Sequence, residues 1–223
     1  MVTFQRARSD EQRGQRRRVI LDTAAAMLAE MPVVELSLNE LSRRVGLAKS
    51  NVLRYFESRE AVLLELMEEQ TRAWVTGLEQ SLAVDAAADP YRRAHRIATQ
   101  LAASLEAYPV LCDLAGTQAA VLERNVSPAM IVRSKRATAR DAARLARLVR
   151  RHLPELGEDD ALRFTATAAM VAGPVWNHTH PSPAVMAALD AEPSLAGLRA
   201  DFTTRFGELL ELLLRGLLAT ASR

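Results

Sequence analysis

The chain has 223 residues, 49% of them apolar, with a net charge of +2 and a single cysteine, Cys112. That is enough for one large or two modest domains with a substantial core, and it excludes an intrachain disulfide framework. Aromatic residues make up only 4%, and alanine, leucine and arginine outweigh the strand-favouring residues, which points away from β structure to an all-α fold.

The first eighteen residues carry six arginines against Asp10 and Glu11. They lack the apolar stretch of a secretory signal, and no later stretch reaches the ~18 apolar residues of a membrane span, so a cytoplasmic protein is expected. Residues 1–60 hold eleven basic and eight acidic residues, which places the positive charge, and any polyanion partner, at the N-terminal end. Residues 1–15 read as a flexible basic arm. From Arg16 onward Val19, Ile20, Ala24, Met27 and Leu28 recur at three and four, one buried helix face that must end near Pro32.

In SLNELSRRVG, Ser37 and Glu40 form a capping box, Leu38, Leu41 and Val45 share a face, and Gly46 stops the helix. A turn over 46–48 leads to a second short helix over 48–55. Ser58 then caps a long helix with Ala61, Val62, Leu63, Leu66, Met67, Trp74 and Leu78 as its apolar stripe. Further helices are predicted over 89–107, 110–124, 128–153, 158–177 and 194–221, with prolines and the run HTHPSP between them. The expected domains are the arm at 1–15, a small unit at 16–57 and a larger one at 58–223.

Two short helices joined by a glycine-bearing turn make a helix-turn-helix, whose second helix enters the major groove of DNA. On the second helix Val52, flanked by Ala48 and Phe56, faces the core, while Ser50, Asn51, Leu53 and Arg54 face outward. Arg54 can place a bidentate fork on guanine, Asn51 can pair with adenine, and Lys49 and Ser50 can reach a phosphate or a base edge. Arg43, Arg44, Tyr55 and the helix starts at Ser37 and Ser58 suit phosphates, and Arg59 joins this DNA-facing set. The arginines of residues 6–18 would add salt-dependent phosphate or minor-groove contacts.

Over residues 17–66 the sequence resembles the N-terminal domain of the bacterial TetR family of transcriptional regulators. The family pattern has an alanine-rich first helix, a short second helix "L..A...G", then "V(S)…LY.HF..KE.L". Here LNELSRRVGLAKSNVLRYFESREAVL keeps that register without a gap. Phe56, Glu60 and Leu63 take the pattern's phenylalanine, glutamate and leucine, and Arg59 replaces its lysine. Ala48 stands where the family usually has a serine that can cap, Leu53 replaces a frequent tyrosine, Tyr55 a histidine, and Ser42 an alanine.

MVAGPVWNHTHPSPAVMAAL and DFTTRFGELLELLLRGLLA look like the last two helices of one TetR subgroup. The resemblance implies a homodimer through helices near 158–177 and 194–221, a repressor role, a palindromic double-stranded operator, and release by a small-molecule effector. The face formed by Phe202, Phe206, Leu209, Leu210, Leu213, Leu214 and Leu217 is wider than one core neighbour needs. Gly173 and Pro174 would kink their helix and open a cavity. Met67, Trp74, Met130, Met170 and Trp176 are the candidates to line an effector pocket.

Arg133, Arg136, Arg140, Arg144, Arg147 and Arg151 form a stripe that reads as a solvated face. His178 and His180 lack the spacing and companions of a metal site, and no nucleotide loop, catalytic triad or carboxylate pair appears, so neither cofactor nor enzyme activity is expected. The competing reading is a helical ligand-binding or protein-interaction dimer without sequence-specific DNA binding.

Overall fold

Caps and prolines set the helix ends. Asp89 accepts from the Tyr91 and Arg92 amides just ahead of Pro90, and Ser182 caps a helix that begins at Pro183. Gly46 adopts the left-handed conformation, φ 72°, and returns its N–H to the Ser42 and Arg43 carbonyls, a conformation in which a Cβ would be strained. The computed structural model describes the backbone of residues 2–221 and the side chains of residues 11–220, and it is helical, with no strand among the described residues.

The helices are α1 (Val2–Leu28), α2 (Leu38–Val45), α3 (Lys49–Val52), α4 (Arg59–Ser81), α5 (Pro90–Glu106), α6 (Pro109–Thr117), α7 (Pro128–His152), α8 (Glu158–Thr179), α9 (Pro183–Ala191) and α10 (Phe202–Ala221). A π turn, Gln118–Leu122, follows α6, and a 3-10 turn, Pro193–Leu198, follows α9. None of these helices is long and apolar enough to cross a membrane.

The chain forms two compact units. One contains residues 1–69 and 117–136, the other residues 70–116 and 137–223. In the first, Ile20, Leu21, Ala24 and Met27 of α1 are buried together with Leu36, Leu41, Val52, Phe56 and the run Ala61 to Leu66. In the second, α10 packs on α5 and α8, burying Phe202, Phe206, Leu210 and Leu214 with Ile97, Leu101, Phe164 and Trp176. Trp176 stacks on His180 at 3.6 Å and meets Phe202 edge-on at 5.1 Å. Cys112 is buried as a small hydrophobe, and burial pushes its thiol up to about 12.

Several boundaries differ from those predicted. The stretch expected as an arm over 1–15 belongs to α1, which starts at Val2; its residues lack apolar periodicity, and the segment is a polar helix. The first unit extends past the boundary predicted at 57/58 to residue 69, inside α4, and residues 117–136 rejoin it. The last helix starts at Phe202, because Asp201 accepts from the Thr204 amide and caps it there. The stretch between the helices predicted over 158–177 and 194–221 holds α9, and a 3-10 turn covers the start of the predicted last helix; neither buries a residue.

Gly173 and Pro174 do not interrupt α8, which runs unbroken through both. Gly173 lies against the backbone of Gly116 in α6: a Cβ on Gly173 would fall 2.5 Å from the Gly116 Cα, and one on Gly116 would fall 2.6 Å from the Asn177 side chain. The glycine closes a helix crossing where a cavity was expected. Gly173→Ala must push two backbones apart and should cost about 3 kcal/mol. Gly77→Ala, whose Cβ would meet only the Tyr108 hydroxyl at 3.8 Å, should gain up to about 1 kcal/mol. Urea unfolding of the two variants checks both signs.

Candidate nucleic-acid interface

The helix-turn-helix is built by local rules. Ser37 Oγ accepts from the Glu40 amide at 3.2 Å, but the Glu40 carboxylate does not complete the box; it accepts from Arg43 at 2.8 and 2.6 Å and from Arg44 at 3.0 Å. These two guanidiniums hold its carboxyl down at about 2. After Gly46, Ala48 opens α3 without any side-chain cap. It is exposed, not turned to the core as predicted, because the capping position precedes the first helical turn. Beyond Val52 the backbone continues as turns, with Tyr55 and Phe56 amides returning to the Val52 carbonyl at 2.9 and 3.1 Å.

Val52 and Phe56 are buried, while Lys49, Ser50, Asn51, Leu53 and Arg54 are exposed. The side chains expected to face outward are thus exposed to solvent. Tyr55 is half-buried. Arg17 of α1 donates to the Tyr55 carbonyl, pairs with Glu65 of α4, and sits 4.3 Å over the Phe56 ring. Glu65 also accepts from Arg133 at 2.7 Å.

Of the phosphate candidates, Arg43 is well exposed and Ser37 lies at the solvent-facing start of α2. Arg44 is held between Glu30 at 2.6 Å and Glu40. Arg59 turns inward, donating to the Leu36 carbonyl at 3.0 Å and pairing with Glu60. Its guanidinium is thereby committed to holding the start of α4, contrary to the DNA-facing role predicted for it.

Sequence reasoning missed a cleft of about 670 Å³ lined by Gln12, Arg13, Gln15 and Arg16 of α1 and by Arg54 and Tyr55. The i, i+3 pairs Gln12/Gln15 and Arg13/Arg16 were the available signal once residues 1–15 are taken as helical.

The five pocket candidates are divided between the two units. Met67 and Met130 belong to the first unit, and Trp74, Met170 and Trp176 to the second. Met67 and Trp176 are buried, Trp74 and Met130 half-buried. Met170 is 69% exposed on α8, on the side turned from the core, so it lines no interior. The indole N–H groups are already used, that of Trp74 on Ser104 at 3.0 Å and that of Trp176 on Asp113 at 2.7 Å. In the arginine stripe, Arg133 and Arg144 are paired, Arg144 with Glu79 at 2.8 Å, and Arg136, Arg140, Arg147 and Arg151 are exposed. Among the described residues no cluster of His, Cys, Asp and Glu could hold a metal ion.

Comparison with known proteins agrees with this geometry. Residues 20–66 match the family described as bacterial regulatory proteins, tetR family, and residues 68–221 match the tetracyclin repressor-like C-terminal domain. A possible TetR family transcriptional regulator from Streptomyces coelicolor A3(2) is similar in structure, at 26% identity and TM-score 0.60, over 92% of this chain and 99% of that one. The TetR family regulator PfmR from Thermus thermophilus shares the fold at 21% identity and TM-score 0.52, over 89% and 98%. The fatty acid degradation regulator FadR from Bacillus halodurans does so at 16% identity and TM-score 0.55, over 89% and 98%. No curated protein matches in sequence.

The missing cap on α3 is testable. Ala48→Ser places an acceptor at the extended position before Lys49 and should stabilise the protein by about 1 kcal/mol, a rise of roughly 2–4 °C in melting temperature.

Proposed function

This chain belongs to the TetR family of bacterial regulatory proteins, and from that premise we propose that it is a repressor that binds a palindromic operator as a homodimer through the element over 48–55. One observation carries the reading: Lys49, Ser50, Asn51 and Arg54 are exposed as one row while Val52 and Phe56 anchor their element in the core. Arg54 and Asn51 supply the base-reading groups, and Lys49, Ser50, Arg43, Ser37 and Tyr55 supply phosphate contacts that fix register. Occupying successive major grooves about 34 Å apart demands a two-fold dimer, and such a complex blocks transcription by covering the promoter.

The dimer forms through α8 and α10. Met170 at 69% and Leu212 at 66% exposure are large apolar side chains left without a cover, on the helices expected to pair. Met170→Glu with Leu212→Glu should convert a dimer into a monomer in analytical ultracentrifugation; an unchanged sedimentation coefficient would remove these helices from the interface. The same reading includes a small-molecule effector that binds the C-terminal unit and favours the dimer geometry unable to span the operator.

The operator is obtained by selection from a randomised duplex pool. Arg54→Ala and Asn51→Ala should each weaken operator binding by about 1–3 kcal/mol and relax preference at one base position per half-site. A pool that yields no enriched sequence, or an enriched one bound equally by both variants, would favour the protein-interaction alternative.

A further inference from the structure

We propose that the cleft between α1 and the end of the recognition element binds a backbone phosphate of duplex DNA, beyond the stretch read in the major groove. The inference rests on the DNA-binding reading and adds a contact to it.

The cleft is lined by three guanidiniums, two amides and a phenol, from Arg13, Arg16, Arg54, Gln12, Gln15 and Tyr55, and among the described residues no carboxylate shares the lining. Every one of these groups can donate a hydrogen bond. Most cations around the recognition element have a carboxylate partner: Arg17 has Glu65, Arg44 has Glu30 and Glu40, and Arg59 has Glu60. Arg13, Arg16 and Arg54 form no ion pair among the described residues. Gathering three like charges around one cleft, with no carboxylate partner among the described residues, raises the energy of the free protein, and an anion in the cleft relieves it.

The walls are also fixed in place. Arg17, adjacent to Arg16, donates to the carbonyl of Tyr55 and lies over Phe56. It ties the α1 wall to the Arg54–Tyr55 wall, so little ordering cost remains when the phosphate arrives. Arg54 belongs both to the cleft and to the outward row. A single polyanion that enters the groove at Asn51 and Arg54 is therefore continuous with one that reaches Arg13 and Arg16, which favours a duplex over a small free anion. Both α1 arginines precede residue 20, where the match to the family's N-terminal domain begins.

The test uses a mixed-sequence duplex, because phosphate contacts are independent of sequence. Dissociation constants of the full chain are measured by fluorescence anisotropy over a salt series. Arg13→Ala with Arg16→Ala should lower the slope of log Kd against log salt by about 0.9, the contribution of one phosphate, and weaken low-salt binding roughly tenfold. Arg136→Ala with Arg140→Ala removes the same charge from exposed positions of α7 and should leave the slope unchanged. Gln15→Glu, which puts a carboxylate into the cleft, should weaken binding without removing any cation.

An unaltered slope in the Arg13/Arg16 pair, or an equal fall in the α7 pair, would overturn the site. So would an unaltered slope accompanied by a pyrophosphate-dependent rise in melting temperature that requires Arg13 and Arg16, since the occupant would then be a free phosphate. Failure of the unaltered chain to bind any duplex would instead remove the DNA reading itself.

Discussion

The reading element depends on one guanidinium. An α-helix of four residues, Lys49 to Val52, has too few internal hydrogen bonds to offset the cost of its first turn, and nothing in its own sequence would keep it formed. Its order comes from outside: Val52 and Phe56 are buried, and Arg17 holds the chain just beyond them by the Tyr55 carbonyl and the Phe56 ring. Arg17 is in turn neutralised by Glu65, which Arg133 also meets. A short helix fixed by tertiary contacts presents its outward side chains at a set angle.

The arginines and the lysine of residues 11–69 divide by whether they already have a counter-charge. Arg44 and Arg59 are engaged by carboxylates and, for Arg59, by a backbone carbonyl. Arg43 is exposed but shares Glu40, whose carboxyl is held far below the usual range by the pair of arginines it serves. A cation with an internal partner gains less from a phosphate, since it must give up that partner to do so. Lys49, Arg54, Arg13 and Arg16 have no such partner among the described residues. Net charge of +2 for the whole chain says nothing of this division, which is a matter of pairing.

The sequence made the helix-turn-helix legible because its signals are local: Ser37 as a cap, Gly46 as a stop, and Val52 and Phe56 four apart. It also showed which side of the second helix faces out. The cleft was not legible, since it joins residues some forty positions apart and its α1 wall lies in the part of α1 that precedes the apolar periodicity, where only propensity speaks for helix. Arg17 and Arg59 look alike in sequence to Arg16 and Arg54; only the position of Glu65 and of the Leu36 carbonyl separates the buried roles from the exposed ones. The helix α9 had a local signal in Ser182 followed by Pro183, overshadowed by the neighbouring prolines. Met170 failed as a pocket residue because an apolar side chain at helical spacing is as consistent with an uncovered face as with a core.

The glycine contact between α6 and α8 has a consequence for stiffness. At most helix crossings side chains intervene, and their rotamers can adjust when one helix shifts, absorbing part of the displacement. Between Gly116 and Gly173 backbone meets backbone, and there is no torsion to absorb anything. A push on α8 near Gly173 must therefore move α6 bodily, as one rod moves another at a hard bearing. Within the second unit this crossing is a point where displacement passes undiminished from one helix to the other.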